Sequence, residues 1–173
     1  MSVLKIIKYP DSRLKIVGKP IKKITSKIQK YLDDMVETMN FYNGIGISAT
    51  QVGIFYRMFV MKTYLSGKKK IFYFINPEII EKNGSSIENE GCLSFPNFFL
   101  KIKRWNFIRI KARNYNGDKF QVEYENNYEA RCVQHEIDHL NGITFIDNIS
   151  FLKKKMIAKK IKKYIQQRNT LKL

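Results

Sequence analysis

An α+β fold is predicted by three observations on the sequence. A helical apolar stripe runs over Ser26–Tyr42, short β-rich segments with turn signals fill Arg57 to about Glu125, and two more helical patterns follow. The 173 residues show no repeat and no low-complexity linker, so the chain reads as one domain over 1–173. The expected architecture is a set of antiparallel strands around a central helix, with an N-terminal helix and a C-terminal helix.

Each element has a local reason. Pro10, Gly18 and Pro20 make the first twenty-odd residues mostly irregular. In the first helix Ile28, Leu32, Met35, Val36 and Met39 trace the apolar stripe. Ser26 and Gln29 have capping-box spacing, and Asn43-Gly44 is a stop signal. Strands are expected at Arg57–Met61, Ile71–Ile75 and Ile79–Glu81. Asn106–Arg113 and Lys119–Glu125 alternate in polarity about Asn116-Gly117, a hairpin signal. The central helix fits Asn127–Leu140, capped by Asn126 or Asn127 and closed by Asn141-Gly142. The last helix runs from about Ser150 to Arg168.

Composition narrows the classes. Apolar types are 44% and charged types 27%, enough for a packed core, so disorder is excluded. Cys92 and Cys132 stand alone, which is no disulfide framework and points to a reducing cytoplasm. Lys5 and Lys8 interrupt any apolar run at the start, so no secretory signal is expected. The uncharged stretch Thr38–Tyr56 carries too many polar residues and glycines for a membrane helix, and suits a packed core beside a site wall. Thirty-two basic against 15 acidic residues give a net charge of +17. That excess fits a polyanionic partner, and it equally fits a lysine-rich compositional drift spread over the surface.

Gln134-His135-Glu136-Ile137-Asp138-His139 holds both histidines of the chain. Four residues apart on a helix they share one face and can grip one metal ion, with Glu136 placed as general base toward water. A catalytic centre of this kind wants a third protein ligand. Phe145 stands where a longer pattern would have a third His, which excludes that subclass. Asp147 or a distant Glu could ligate. The better candidate is Cys92, in Glu90-Gly91-Cys92-Leu93-Ser94, although a lone Cys is also a small buried apolar residue. Cys132 reads as core or pocket lining. In Gly44-Ile45-Gly46-Ile47-Ser48-Ala49-Thr50-Gln51 the two glycines allow close backbone approach, and Gln51 offers an amide donor for an oxyanion. The spacing is not a dinucleotide fingerprint.

Together, Gly-Ile-Gly-Ile-Ser-Ala-Thr-Gln, Glu-Gly-Cys-Leu-Ser and Gln-His-Glu-Ile-Asp-His-Leu closely resemble the three signature motifs of bacterial peptide deformylase. The likeness extends to Tyr9–Leu14 and the terminal helix, and departs at Ser48, where the family commonly has Ala. The resemblance implies a metal-dependent hydrolase that removes the formyl group from N-formylmethionyl nascent peptides and releases formate. It implies that Cys92, His135 and His139 hold one divalent metal, Fe(II) in the cell, with Zn, Ni or Co as substitutes. Glu136 would move the proton, and Gln51 with the Leu93 backbone N–H would stabilise the oxyanion. Glu90 paired with Arg104 would brace the cysteine loop. Ile45, Ile87, Tyr128, Arg131 through its stem, Cys132 and His135 would line the methionine pocket, and the Gly46 backbone would take the peptide as an added strand.

The tail carries seven lysines between Lys153 and Lys163, and no acidic residue follows Asp147. Ile157, Ile161, Tyr164 and Ile165 form a stripe that can dock the helix, leaving a cationic outer face. This face is either a solvated surface or, as the family resemblance implies, a ribosome contact; neither a membrane nor DNA is expected as partner. Two other classes stay open on the residues alone. One is a generic metallopeptidase with Asp147 as third ligand, and the other is a non-catalytic RNA-binding protein.

Overall fold

The structure is a computed structural model that describes residues 2–65 and 68–170, with side chains to Tyr164 except at Leu65. Helix α1 spans Ser26–Phe41, β1 Gly46–Ser48, β2 Met58–Leu65, β3 Lys68–Asn83, β4 Ser86–Gly91, β5 Phe99–Arg104, β6 Phe107–Arg113, β7 Lys119–Glu125, α2 Tyr128–Leu140 and α3 Phe151–Thr170. Strands β1-β2-β3-β6-β7 form one antiparallel sheet in that order, and β4 and β5 pair as a separate ribbon. The predicted mixture of helices and antiparallel strands is thus the observed one.

The sheet lies between two helices, and β2 shows why. Its run Met58-Phe59-Val60-Met61 is fully buried. A period of two sends alternate side chains to opposite faces. Met58 and Val60 join Leu32, Met35 and Met39 of α1 in one cluster, while Phe59 and Met61 join Val133, Ile137 and Leu140 of α2 in another. A continuous apolar run is what a strand covered on both faces requires. Each such buried side chain stabilises by roughly 1.5–3 kcal/mol.

Helix α1 is capped by Thr25, whose hydroxyl accepts from the Ile28 N–H at 3.4 Å, and not by Ser26 as its spacing predicts. Asp34 and Thr38, polar interruptions of its buried face, accept the backbone N–H groups of Ser2 and Leu4 at 2.8 Å and so seat the N-terminal segment. The two strands expected at Ile71–Ile75 and Ile79–Glu81 are one long strand, β3, with register irregularities around Asn76-Pro77. Proline interrupts the ladder there without ending the strand. The ribbon β4–β5 and the short β1 are elements the sequence reading leaves as loop.

Helix α2 starts where the Asn127 side chain accepts the Ala130 N–H at 2.8 Å. It stops at Leu140, and Gly142 (φ +70°) follows. A Cβ on Gly142 would lie 2.4 Å from the Lys15 carbonyl oxygen, so only glycine fits. Helix α3 docks by the predicted stripe as far as that is described: Ile161 is buried and Ile157 packs on the same cluster as Phe95, Ile102 and Phe145. The side chain of Ile165 lies outside the described residues. Asp147 accepts from both Lys15 and Lys154, joining the N-terminal segment to the base of α3.

Candidate metal centre

Three stretches of backbone converge: the turn after β1, the loop after β4, and the middle of α2. His135 and His139 lie one turn apart on α2, His135 facing Glu90 of β4 and His139 facing Cys92 in the loop after it. With Cys92 they place one donor atom each within 4.8 Å of one another, and Cys92 Sγ sits 3.2 Å from His139 Nε2. Cys132 is outside this group, as the sequence reading expects, and no carboxylate joins it among the described residues. Asp147 is engaged by Lys15, Lys154 and Thr144 instead.

Glu90 orients the centre. Its carboxylate accepts from Arg104 Nε at 2.9 Å and Nη2 at 3.0 Å, from Arg131 Nη2 at 3.0 Å, and faces His135 Nδ1 at 3.2 Å. With Nδ1 given to Glu90, His135 presents Nε2 to Cys92 and His139, the arrangement by which an outer carboxylate fixes a metal-binding imidazole. Burial alone would raise the Glu90 carboxyl, but His135 and Arg104 hold it at about 2, so it stays ionised. Arg104 also reaches Asp138 Oδ2.

Glu136 is buried and its Oε2 has no hydrogen-bond partner among the described residues. Burial pushes it up to about 7. A carboxylate near neutrality in a closed site is suited to shuttle a proton. It packs directly on Gly46, where a Cβ would lie 2.8 Å from its Oε1 and 2.7 Å from Cys132 Sγ. Burial raises the Cys132 thiol well above its ordinary value and keeps it neutral. It also lowers His139 well below the usual imidazole range, leaving the ring neutral, the form in which His ligates.

Gln51 stands in a single 3-10 turn, Ala49–Val52. Its Oε1 accepts from the Ser48 N–H and from the Ser48 hydroxyl, both at 3.0 Å, so its Nε2 turns inward, 3.5 Å from Cys92 Sγ and 3.2 Å from Ser94 Oγ. The Leu93 carbonyl accepts from Lys8 Nζ at 2.5 Å, and its N–H has no acceptor among the described residues. Thr50 donates to the His139 carbonyl at 3.1 Å, tying this turn to α2. Ser48, Thr50, Ser94 and Asp138 lie inside the three motifs, yet their part in holding Gln51, His139 and Arg104 shows only in three dimensions.

The residues expected to line a pocket differ in burial. Ile45, Ile87 and Tyr128 are exposed, and Cys132 is half-buried against Gly46. The Tyr128 hydroxyl is fixed by Thr63 Oγ1 at 2.7 Å. Arg131 differs from expectation in emphasis. Its guanidinium binds Glu90 and the Ile102 carbonyl and reaches Ser86 and Glu88 on either side of Ile87, so it joins α2 to β4. Behind α2 lies a separate groove of about 840 Å³ that includes Trp105, Gln134 and Ile137 and none of the three clustered donors.

A soft sulfur donor and two imidazoles on a buried helix, with a buried carboxylate beside them whose Oε2 has no hydrogen-bond partner among the described residues, fit a divalent metal. A sheet with this centre at its edge defines the class of a metal-dependent hydrolase. The polypeptide deformylase family matches residues 3–155. A peptide deformylase of Buchnera aphidicola subsp. Schizaphis graminum is 46% identical over 161 residues, 93% of this chain and 95% of that protein. One of Alkalilimnicola ehrlichii is 42% identical over 96% of this chain and 93% of that one. The crystal structure of the Ehrlichia chaffeensis enzyme in complex with actinonin superimposes with a TM-score of 0.88 at 37% identity, covering 95% and 98% of the two chains. For the Legionella pneumophila peptide deformylase the TM-score is 0.89 at 34% identity, with 97% and 98% covered. The chain belongs to the peptide deformylase family, hydrolases that remove the formyl group from nascent polypeptides.

Proposed function

We propose that this chain carries out deformylation as one domain, with Cys92, His135 and His139 holding a single divalent cation, Fe(II) in the cell. The observation that supports this most is the convergence of those three donors within 4.8 Å beside the buried Glu136. The cation, when bound, supplies a Lewis acid that makes water a nucleophile at neutral pH. The protein's own groups do the rest. Glu136 takes a proton from the attacking water and hands it to the departing amine as the formyl C–N bond breaks, giving formate and a free N-terminus. Gln51 Nε2 and the Leu93 N–H donate to the oxygen that gains charge. Losing one such donor typically costs 10²–10³ in kcat, about 2.7–4 kcal/mol.

The substrate side follows from the edges. Among the described residues strand β1 pairs only with β2, so its outer side would offer Gly46 to an extended peptide. Ile45, Ile87, Tyr128, Cys132 and the stem of Arg131 receive the methionine side chain. In this reading the lysines of α3 meet ribosomal RNA in the cytoplasm, where formylated chains emerge; the seven lysines of Lys153–Lys163 support it. Among the described residues no helix is long and apolar enough to cross a membrane.

The test is formate release from a formyl-Met peptide by protein loaded anaerobically with Fe(II) or Ni(II). Glu136→Ala keeps the metal and loses turnover, and Cys92→Ala loses the metal. Full activity of the Glu136 variant contradicts the proton assignment. Peptide-bond cleavage without formate contradicts the reaction.

A further inference from the structure

The solvent face of β6 and β7 carries a ladder of charges that is matched along most of its length. Arg109 pairs with Glu81 and Glu123, and Lys111 with Glu78 at 3.0 Å. The last rung is different. Arg113 lies directly opposite Lys119, and among the described residues no acidic side chain pairs with either. Like charges facing each other across an antiparallel pair destabilise it. The two border a groove of about 440 Å³ whose walls include Asn76, Lys111 and Phe120.

A third chain segment adds to the same place. Asn76 takes the Ile21 N–H on its Oδ1 at 2.8 Å and returns Nδ2 to the Ile21 carbonyl at 2.7 Å. Ile24 packs on Gly117 in the β6–β7 turn. The exposed Lys22 and Lys23 are therefore held between the groove and that turn. Asp118, next to Lys119 in sequence, is hydrogen-bonded to Asn114 Nδ2 at 3.0 Å.

We propose that this groove binds the phosphodiester backbone of RNA. Five cations from three segments (Lys22, Lys23, Lys111, Arg113 and Lys119) meet two acids, Glu78 paired with Lys111 and Asp118 held by Asn114, which is a surface complementary to a string of negative charges. The cations are spread along an open groove and none is buried, so the arrangement suits successive phosphates better than one small anion. The face is remote from the chemistry. Strands β1 and β7 are opposite edges of the sheet, four strand spacings or roughly 19 Å apart. It is also independent of α3, and stands whether or not α3 meets RNA.

The experiment uses the full, metal-loaded chain and a fluorescein-labelled RNA duplex, titrated by anisotropy at rising NaCl. In Arg113→Gln/Lys119→Gln the slope of log K against log salt should fall by about 2, and affinity at about 50 mM salt by roughly ten- to a hundred-fold. Lys22→Gln/Lys23→Gln should lower the slope again. Formate release should be unchanged in both, and the melting temperature of the first at low salt unchanged or raised, since a like-charge pair is relieved. An unchanged slope overturns the proposal. So does RNA binding abolished by Lys159→Gln/Lys160→Gln/Lys162→Gln/Lys163→Gln alone. Displacement by inorganic phosphate at concentrations too low to screen overturns it in favour of a small-anion site, and variant-sensitive binding to anionic vesicles but not to RNA overturns it in favour of a lipid surface.

Discussion

Replacing Gly46 by Ala should damage catalysis without emptying the metal centre. The added methyl would lie 2.7 Å from Cys132 Sγ and 2.8 Å from Glu136 Oε1, against ordinary contacts that begin at 3.4 Å. The carboxylate oxygen must then retreat by 3.4 − 2.8 = 0.6 Å. Neither neighbour moves freely, because both stand on the face of α2 that packs on β1. A misplacement of about 1 Å at a reacting group costs about 10²-fold, so 0.6 Å predicts a loss of about 10- to 10²-fold in kcat. At 1.36 kcal/mol per decade that is about 1.4–2.7 kcal/mol of barrier. The atoms nearest the methyl belong to Cys132 and Glu136 and not to Cys92, His135 or His139, so metal content should stay stoichiometric. Overpacking should also lower stability by about 1–3 kcal/mol. Adding Cys132→Ala should recover stability and only part of kcat, because the Glu136 contact remains. Gly44→Ala makes a useful contrast, since its methyl meets the flexible end of Leu93 at 2.8 Å and should cost less. Formate release at saturating substrate, normalised to bound metal, is the assay. A Gly46→Ala enzyme with wild-type kcat at full occupancy refutes the placement of Glu136 as the proton carrier.

Glu90→Gln should leave the buried Arg104 and Arg131 without their shared counter-charge; urea unfolding should show a loss of about 3–5 kcal/mol, and chelator competition a 10- to 100-fold weaker metal site. Asp147→Asn tests a pH linkage. Burial would raise this carboxyl, but Lys15, Lys154 and Thr144 hold it well below the usual range, so its contribution is present above about pH 4 and fades as pH falls through the depressed value. The variant should be about 1–2 kcal/mol less stable at pH 7, with the gap closing below pH 4 in thermal melts; a gap that widens in acid contradicts the assignment. Iodoacetamide should label Cys92 once metal is stripped and spare it when metal is bound, while Cys132, kept neutral by burial, reacts slowly in both; mass spectrometry of tryptic peptides decides.

The helices were legible because their signals are local. The Asn127 cap, the Asn141-Gly142 stop and the His-Glu-x-x-His spacing are all written within one element, and α2 forms as they predict. The ribbon β4–β5 was not, because Ser86-Ile87-Glu88-Asn89-Glu90-Gly91 is polar and ends in glycine. What makes it a strand is pairing with Phe99–Arg104; Glu90 lies opposite Leu100 in that register, and the long Arg104 side chain, opposite Ser86, reaches back to it. The long β3 hid behind Pro77 for the opposite reason: a local breaker is overruled by pairing on both sides. At the site, type and spacing point to the two histidines, while the third donor stayed open on the residues alone, with Cys92 the better candidate and the family resemblance implying it; the three donors converge only through folding. The hub at Glu90 could be read only as one pair, since Arg131 and His135 reach it across 41 and 45 residues of sequence.

The hold that Ser48 has on Gln51 has a consequence for what the side chain can become. An amide can usually turn over and exchange its oxygen for its nitrogen at little cost. Here both Ser48 donors meet the same oxygen at 3.0 Å, and turning over would break the two bonds and aim an acceptor at the Cys92 sulfur. Gln51 is in effect a one-way group, facing inward before anything binds. The isosteric carboxylate would keep the Ser48 bonds and yet set a negative oxygen, with no proton to donate, against the Cys92 sulfur. Shape alone, then, does not define what this position tolerates; the direction of its dipole does.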